Sequence, residues 1–235
     1  VLAAAESPKP ISVWVFNLYY TDTTLNKVRE FFDYLTVETG YHFEIIVSND
    51  SVELLRNCHQ NYPDIVVASS VVSDLVAASC RYIHIAQTFQ SVELLVLKNG
   101  SLLSPATVKR VGLIRGVKAT EIANTELAAL NAEFEAVLYP NLWALMRQYQ
   151  DDHVDSLALP HRSILIVQDF SEKWHSIHTF QQKGSAIVTV SAVLDKKIQN
   201  VLRENFLANG EISKKIWQQG VGLGEFVEPG KKAAN

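Results

Sequence analysis

The sequence predicts an α/β protein of two lobes, each an open, mostly parallel sheet flanked by helices, the lobes joined by two crossing strands. Three observations predict it: a βαβαβα alternation over the first eighty residues, a strand-like run from 82 to 99 with no helix after it, and a second α/β alternation beyond Pro105 that ends in further strands.

In the first alternation ISVWVF (11–16) reads as a buried strand. A helix follows the polar-aromatic turn at 17–22, because Leu25, Val28, Phe31, Phe32 and Leu35 form one apolar stripe and Gly40 stops it. YHFEIIVS (41–48) is a second strand, and Asn49-Asp50-Ser51 is an N-cap cluster for a short helix over 52–59. DIVVAS (64–69) is apolar throughout, as expected of a strand covered on both faces, and a helix follows over 70–79.

YIHIAQTFQSVELLVLKN (82–99) then carries only Gln87 and Gln90 as polar breaks near its centre, and reads as a strand crossing between lobes. Beyond it come KRVGLIR (109–115), a helix over 120–130, FEAVLY (134–139), a helix over 141–150 and VDSLAL (154–159). SILIVQDF (163–170) and SAIVTVS (185–191) are again strand-like, and Asp195 opens a helix carrying Ile198, Val201, Leu202 and Phe206. The Gly-rich GVGLGEFVEPGKKAAN is expected to be loop-like. These segments place lobe one at 11–88 and 186–235 and lobe two at 89–185, with 1–10 outside both. Ligand is expected between the lobes, at the carboxyl ends of the parallel strands.

A net charge of −4 with both signs mixed offers no basic field for nucleic acid, so an anion has to be held locally. No apolar stretch reaches the ~20 residues that span a bilayer. VLAAAESPKP is patterned like the end of a secretory signal, which points to export to the periplasm; a frayed terminus is the alternative. Cys58 and Cys80 fit either one disulfide or two buried thiols. There is no Gly-x-Ser-x-Gly elbow, P-loop or dinucleotide fingerprint in a strand-turn-helix context, and no spacing that completes a zinc site. His175 and His178, three apart, could meet on a helix face as a metal pair, but no third ligand accompanies them and they read as surface residues. No catalytic residue, cofactor or metal is expected.

The order of these segments resembles the type II periplasmic binding proteins, and in particular the phosphonate/phosphite/phosphate-binding family of ABC transporters. The carriers are ISVWVFNLYYTDTTLNKVREFFDYLTVETGYHFEII, SVELLRNCHQNYPDIVVAS, FQSVELLVLKNGSL, LSPATVKRVGLI and the ending GVGLGEFVEP. The resemblance implies a two-lobed protein that closes on a small ligand for transporter uptake, without enzymatic activity.

The family's aromatic after the first strand corresponds to Tyr19 and Tyr20, one of which should face the cleft. After the third strand the family has Gly-Pro and then Tyr, whereas here Ser69, Ser70 and Ser73 stand, whose hydroxyls suit an anion at a helix N-terminus or a helix cap. The family's Ser-Thr-Ser-Gly cradle reads Val117-Lys118-Ala119-Thr120, and its His before the next helix reads Asn141. Arg115 and Lys118 supply the charge that a cradle without serines needs, or are solvated loop residues. His161, after Pro160, faces the cleft or is structural.

The expected ligand set is therefore Tyr19, Tyr20, Ser69, Ser70, Arg115, Lys118, Thr120, Asn141 and His161 around a small anionic ligand, a phosphonate- or phosphate-like oxyanion or a carboxylate. The expected protein partner is an ABC permease, or a membrane sensor kinase or cyclase for a sensing module of the same fold. The chain is expected to be monomeric.

Overall fold

A computed structural model describes residues 9–16, 22–48, 50–97, 108–114, 118–129, 133–150, 153–160, 174–207, 211–220 and 223–231. The predicted first alternation is present as β1 (Ile11–Val15), α1 (Asp22–Thr39), β2 (Phe43–Val47), α2 (Ser51–Cys58), β3 (Ile65–Ala68) and α3 (Ser70–Ser79). In α1, Val28, Phe31, Phe32 and Leu35 are fully buried, and the helix ends where Gly40 takes φ 73° and its N–H donates to Thr36 at 2.9 Å. Asp50 caps α2 by accepting from the N–H groups of Val52 and Glu53.

The crossing strand β4 runs the full Tyr82–Leu97. The second alternation is β5 (Arg110–Ile114), α4 (Lys118–Ala129), β6 (Glu135–Tyr139), α5 (Leu142–Gln150) and β7 (Ser156–Pro160), and the chain returns along β8 (Trp174–Ser191) into α6 (Lys196–Leu207). Asp195 opens α6 as predicted, its carboxylate accepting from Lys197 N–H at 2.7 Å. The segment 163–170, read as a strand, lies outside the described residues.

Two readings are corrected. His175 and His178, which share a face if the segment is helical, lie instead on β8, opposite Val96 and Leu94 of β4. The Gly-rich stretch read as loop-like contains β9 (Phe226–Val227), which joins the sheet beside β4; before it, α7 (Glu211–Ser213) runs into a π-helical turn (Lys214–Gly220).

Among the described residues all strands belong to one nine-stranded sheet in the order β2-β1-β3-β8-β4-β7-β5-β6, with β9 on β4. The core is divided. Residues between 11 and 86 and between 188 and 226 pack on the two faces of the β2-β1-β3-β8 end, while Leu94, Val108–Ile114 and residues up to Phe180 form a separate cluster around β5 and β7. Phe31, Phe206, Trp217 and Phe226 make the first core an aromatic one, with ring centroids 4.9–5.6 Å apart. Between the two cores the β4/β8 ladder loses register, passing from Gln87 opposite Ile187 to Phe89 opposite Lys183.

Candidate functional site

Strand direction locates the site. β3 and β4 are both antiparallel to β8, so β3 runs the same way as β4 and its carboxyl end points toward the second core. β7 is antiparallel to β4 and parallel to β5, which is parallel to β6, so these three carboxyl ends point back toward the first core. The strand ends of the two halves face each other.

The ladder gives their separation. Ala68, the last residue of β3, lies opposite Ile187, which lies opposite Gln87 on β4. Pro160, the last residue of β7, lies opposite Val92 on the same strand. Five residues of β4, about 16 Å at ~3.3 Å per residue, therefore separate the two edges. This is the offset along the strand direction, and a helix begins after β3 on one side and after β5 and β6 on the other.

On the first side the helix N-terminus is that of α3. Ser69 occupies its N-cap position without making a side-chain cap, and no acidic residue stands in the first turn, so the positive end of the helix is left uncompensated. Ser70 is 4% exposed, and its hydroxyl has no hydrogen-bond partner among the described residues. A buried unpaired hydroxyl costs of order 1–3 kcal/mol; those of Thr189 and Ser191 are in the same state, and Ser70 differs from them in standing at the first turn of a helix. Ser73 does not join it: it is fully buried one turn further on, and its hydroxyl is turned to the carbonyl oxygens of Ile187 (3.4 Å) and Ala68 (3.5 Å).

On the second side β5 and β6 end in register, Ile114 opposite Tyr139, so the turns into α4 and α5 emerge at one edge. Lys118 is the first residue of α4 and Thr120 lies in its first turn. Asn141 caps α5, its side-chain oxygen accepting from Ala144 N–H at 2.8 Å, and it is exposed. The backbone thus brings Ser69, Ser70, Lys118, Thr120 and Asn141 to the facing edges; Tyr19, Tyr20, Arg115 and His161 lie outside the described residues.

Two residues escaped the sequence reading. Trp143, in the first turn of α5, is 62% exposed, a large aromatic at the edge where this helix begins. An exposed Trp at a helix start, off the apolar stripe, was the available signal. Gln87 registered only as a polar break, yet it is 5% exposed and lies opposite Ile187, which pairs with Ala68 at the end of β3. Among the described residues no group of three or more His, Cys, Asp or Glu is placed to hold a metal ion. None of their helices is long and apolar enough to cross a membrane.

The fold is shared with known structures. The chain superposes on PhnD1 from Prochlorococcus marinus in complex with methylphosphonate with a TM-score of 0.72, 12% identity, and coverage of 94% of this chain and 93% of that one. The fold is that of the type II periplasmic binding proteins. The same binding-protein fold gives a TM-score of 0.66 with the periplasmic aliphatic sulphonate binding protein SsuA from Escherichia coli, at 12% identity over 91% of this chain and 75% of that one. The periplasmic VFT2 domain of BvgS from Bordetella pertussis matches with a TM-score of 0.63, 14% identity, and coverage of 89% and 92%. No family model matches the chain, and no curated protein matches it at the sequence level.

Proposed function

We propose that this chain is an exported solute-binding protein that captures a small oxyanion-bearing ligand between two lobes, 11–88 with 186–235 and 89–185, and presents it to an ABC permease. The observation that carries the reading is the opposition of strand ends across β4, with the buried hydroxyl of Ser70 at the first turn of α3 aimed at no protein group. A helix N-terminus without acidic residues favours a phosphonate, phosphate, sulfonate or carboxylate over a cation or a neutral sugar. Closure requires contacts from both sides, with Ser69 and Ser70 opposing Asn141, Thr120 and Lys118, and with Tyr19, Tyr20, Arg115 and His161 completing the set. The altered cradle at 117–120, with one hydroxyl where the phosphonate family has three, supports a ligand different from theirs. Binding in place of catalysis fits structural neighbours that are named as binding proteins. The periplasm and a monomeric state complete the proposal.

Isothermal titration and thermal shift against methylphosphonate, inorganic phosphate, alkanesulfonates and L-glutamate test it. Binding by one class, weakened about tenfold in Ser70→Ala, is expected for the loss of one hydrogen bond to a charged group. Silence across the whole panel would overturn it. The likeness to the VFT2 domain of BvgS supports a second reading, a ligand-sensing module that signals to a membrane kinase or cyclase. A permease and ATPase encoded beside the gene favour uptake; a sensor kinase fused to it favours sensing.

A further inference from the structure

We infer that the C-terminal segment 223–231 is a strap that fixes where the two lobes hinge. β9 adds a third strand to the crossing pair, placing Val227 opposite Gln87 and Phe226 opposite Thr88. It occupies the same edge of β4 that β7 takes further along, where Pro160 meets Val92, so between these two partners the stretch from Phe89 to Ser91 has no strand on that edge among the described residues. This is the stretch that spans the cleft.

Four contacts bind the strap to β4 and to the first core. The amide of Gln87, on a nearly buried side chain, donates to the carbonyl oxygens of Glu228 (3.1 Å) and Lys231 (3.0 Å). Gly224 lies so close to Phe89 that a Cβ there would meet the Phe89 carbonyl oxygen at 2.1 Å, which no side chain tolerates. Phe226 is buried against Phe206 and Trp217, and Glu228 accepts two hydrogen bonds from Arg203 of α6, at 2.7 and 2.8 Å.

The opposite edge of β4 is where the β8 ladder slips, with Ala186 donating its N–H to the Thr88 hydroxyl at 3.2 Å at the irregularity. Without a third strand, that slip would leave residues 87–89 as the weakest part of the crossing. The strap stiffens them and carries them with lobe one, so bending is confined to Gln90–Ser91 and the facing 181–182 of β8.

The inference rests on the two-lobe reading, and one experiment separates them. Spin labels at Asp33→Cys on α1 and Arg147→Cys on α5, both exposed, report the inter-lobe distance by pulsed electron resonance. The distribution is measured in the parent and in Gln87→Met and Gly224→Ala, each free and with methylphosphonate, phosphate, methanesulfonate or L-glutamate. Broadening of the free distribution by about twofold in both variants, with native circular dichroism, is the expected result. A parent that closes with one of these anions while both variants stay as narrow as the parent overturns the strap alone. A parent that closes with none of them, and variants that do not broaden, overturn the two-lobe reading and the strap together. Should either variant fail to fold, amide exchange in the parent decides: protection at Phe226 and Val227 as high as in β1 supports the strap, and exchange as fast as a frayed terminus overturns it.

Discussion

Cys58 and Cys80 are bonded to each other across 22 residues, fastening the end of α2 to the residue that follows α3. Cys58 is buried, and the bond lies at a recess lined by His59, Asn61, Ser79 and Arg81, at the opposite end of α3 from Ser70. A loop of this size gives about 3 kcal/mol of stabilisation through the unfolded state. Cys58→Ala with Cys80→Ala is expected to lose about that much in guanidinium unfolding, and reduction of the parent should reproduce the loss. Equal stability of reduced and oxidised protein would contradict it.

Ser70 should separate folding from binding. Its hydroxyl is buried without a partner, so Ser70→Ala is expected to leave the unfolding free energy within about 1 kcal/mol of the parent, or to raise it. Ser73→Ala, which strips a hydroxyl that serves two carbonyl oxygens, should cost about 1 kcal/mol. Urea titrations of the two variants side by side check the contrast, and a larger loss in Ser70→Ala would show that its hydroxyl is structural.

Alkaline pH should destabilise the fold through Tyr82. Burial pushes its phenol well above the ordinary tyrosine range, the nearby Asp64 carboxylate adds to the shift, and the hydroxyl donates to the Pro63 carbonyl oxygen. The folded chain holds this proton after the unfolded chain has lost it. The contribution is therefore complete below about pH 10 and declines as pH rises beyond it, by at most about 1.4 kcal/mol per pH unit. Unfolding measured between about pH 9 and 11 should show a shallower alkaline decline in Tyr82→Phe than in the parent.

Gly112 is where α5 comes closest to its sheet. A Cβ at this residue of β5 would stand 2.5 Å from Leu145 Cδ1 and 2.7 Å from Leu157 Cδ2, both fully buried. Gly112→Val is expected to cost about 1–3 kcal/mol by overpacking. Leu145→Ala should recover part of that loss in the double variant, which a double-mutant cycle measures.

The alternation of β1 to α3, the length of β4, the second alternation and the opening of α6 at Asp195 were legible in the sequence, because apolar periodicity, caps and Gly40 are local signals. The C-terminal strap was not. GVGLGEFVEP has the composition of a loop, and β9 exists because Gln87 and the edge of β4 offer partners some 140 residues away in the chain. WHSIH likewise permits a helix until pairing with β4 makes it strand.

By itself the sequence determined the order of elements, the two cores and the helix beginnings where hydroxyls gather, since these follow from the spacing of apolar and capping residues over a few turns. Tertiary structure alone decided which hydroxyl is spoken for. Ser70 and Ser73 are equivalent as letters, but the packing of α3 against β3 and β8 gives Ser73 carbonyl partners and leaves Ser70 buried with none. It also decided how the two ends of the sheet meet, because strand direction depends on which distant segments pair, and that pairing alone points the strands ending at Ala68 and Pro160 toward each other on either side of β8 and β4.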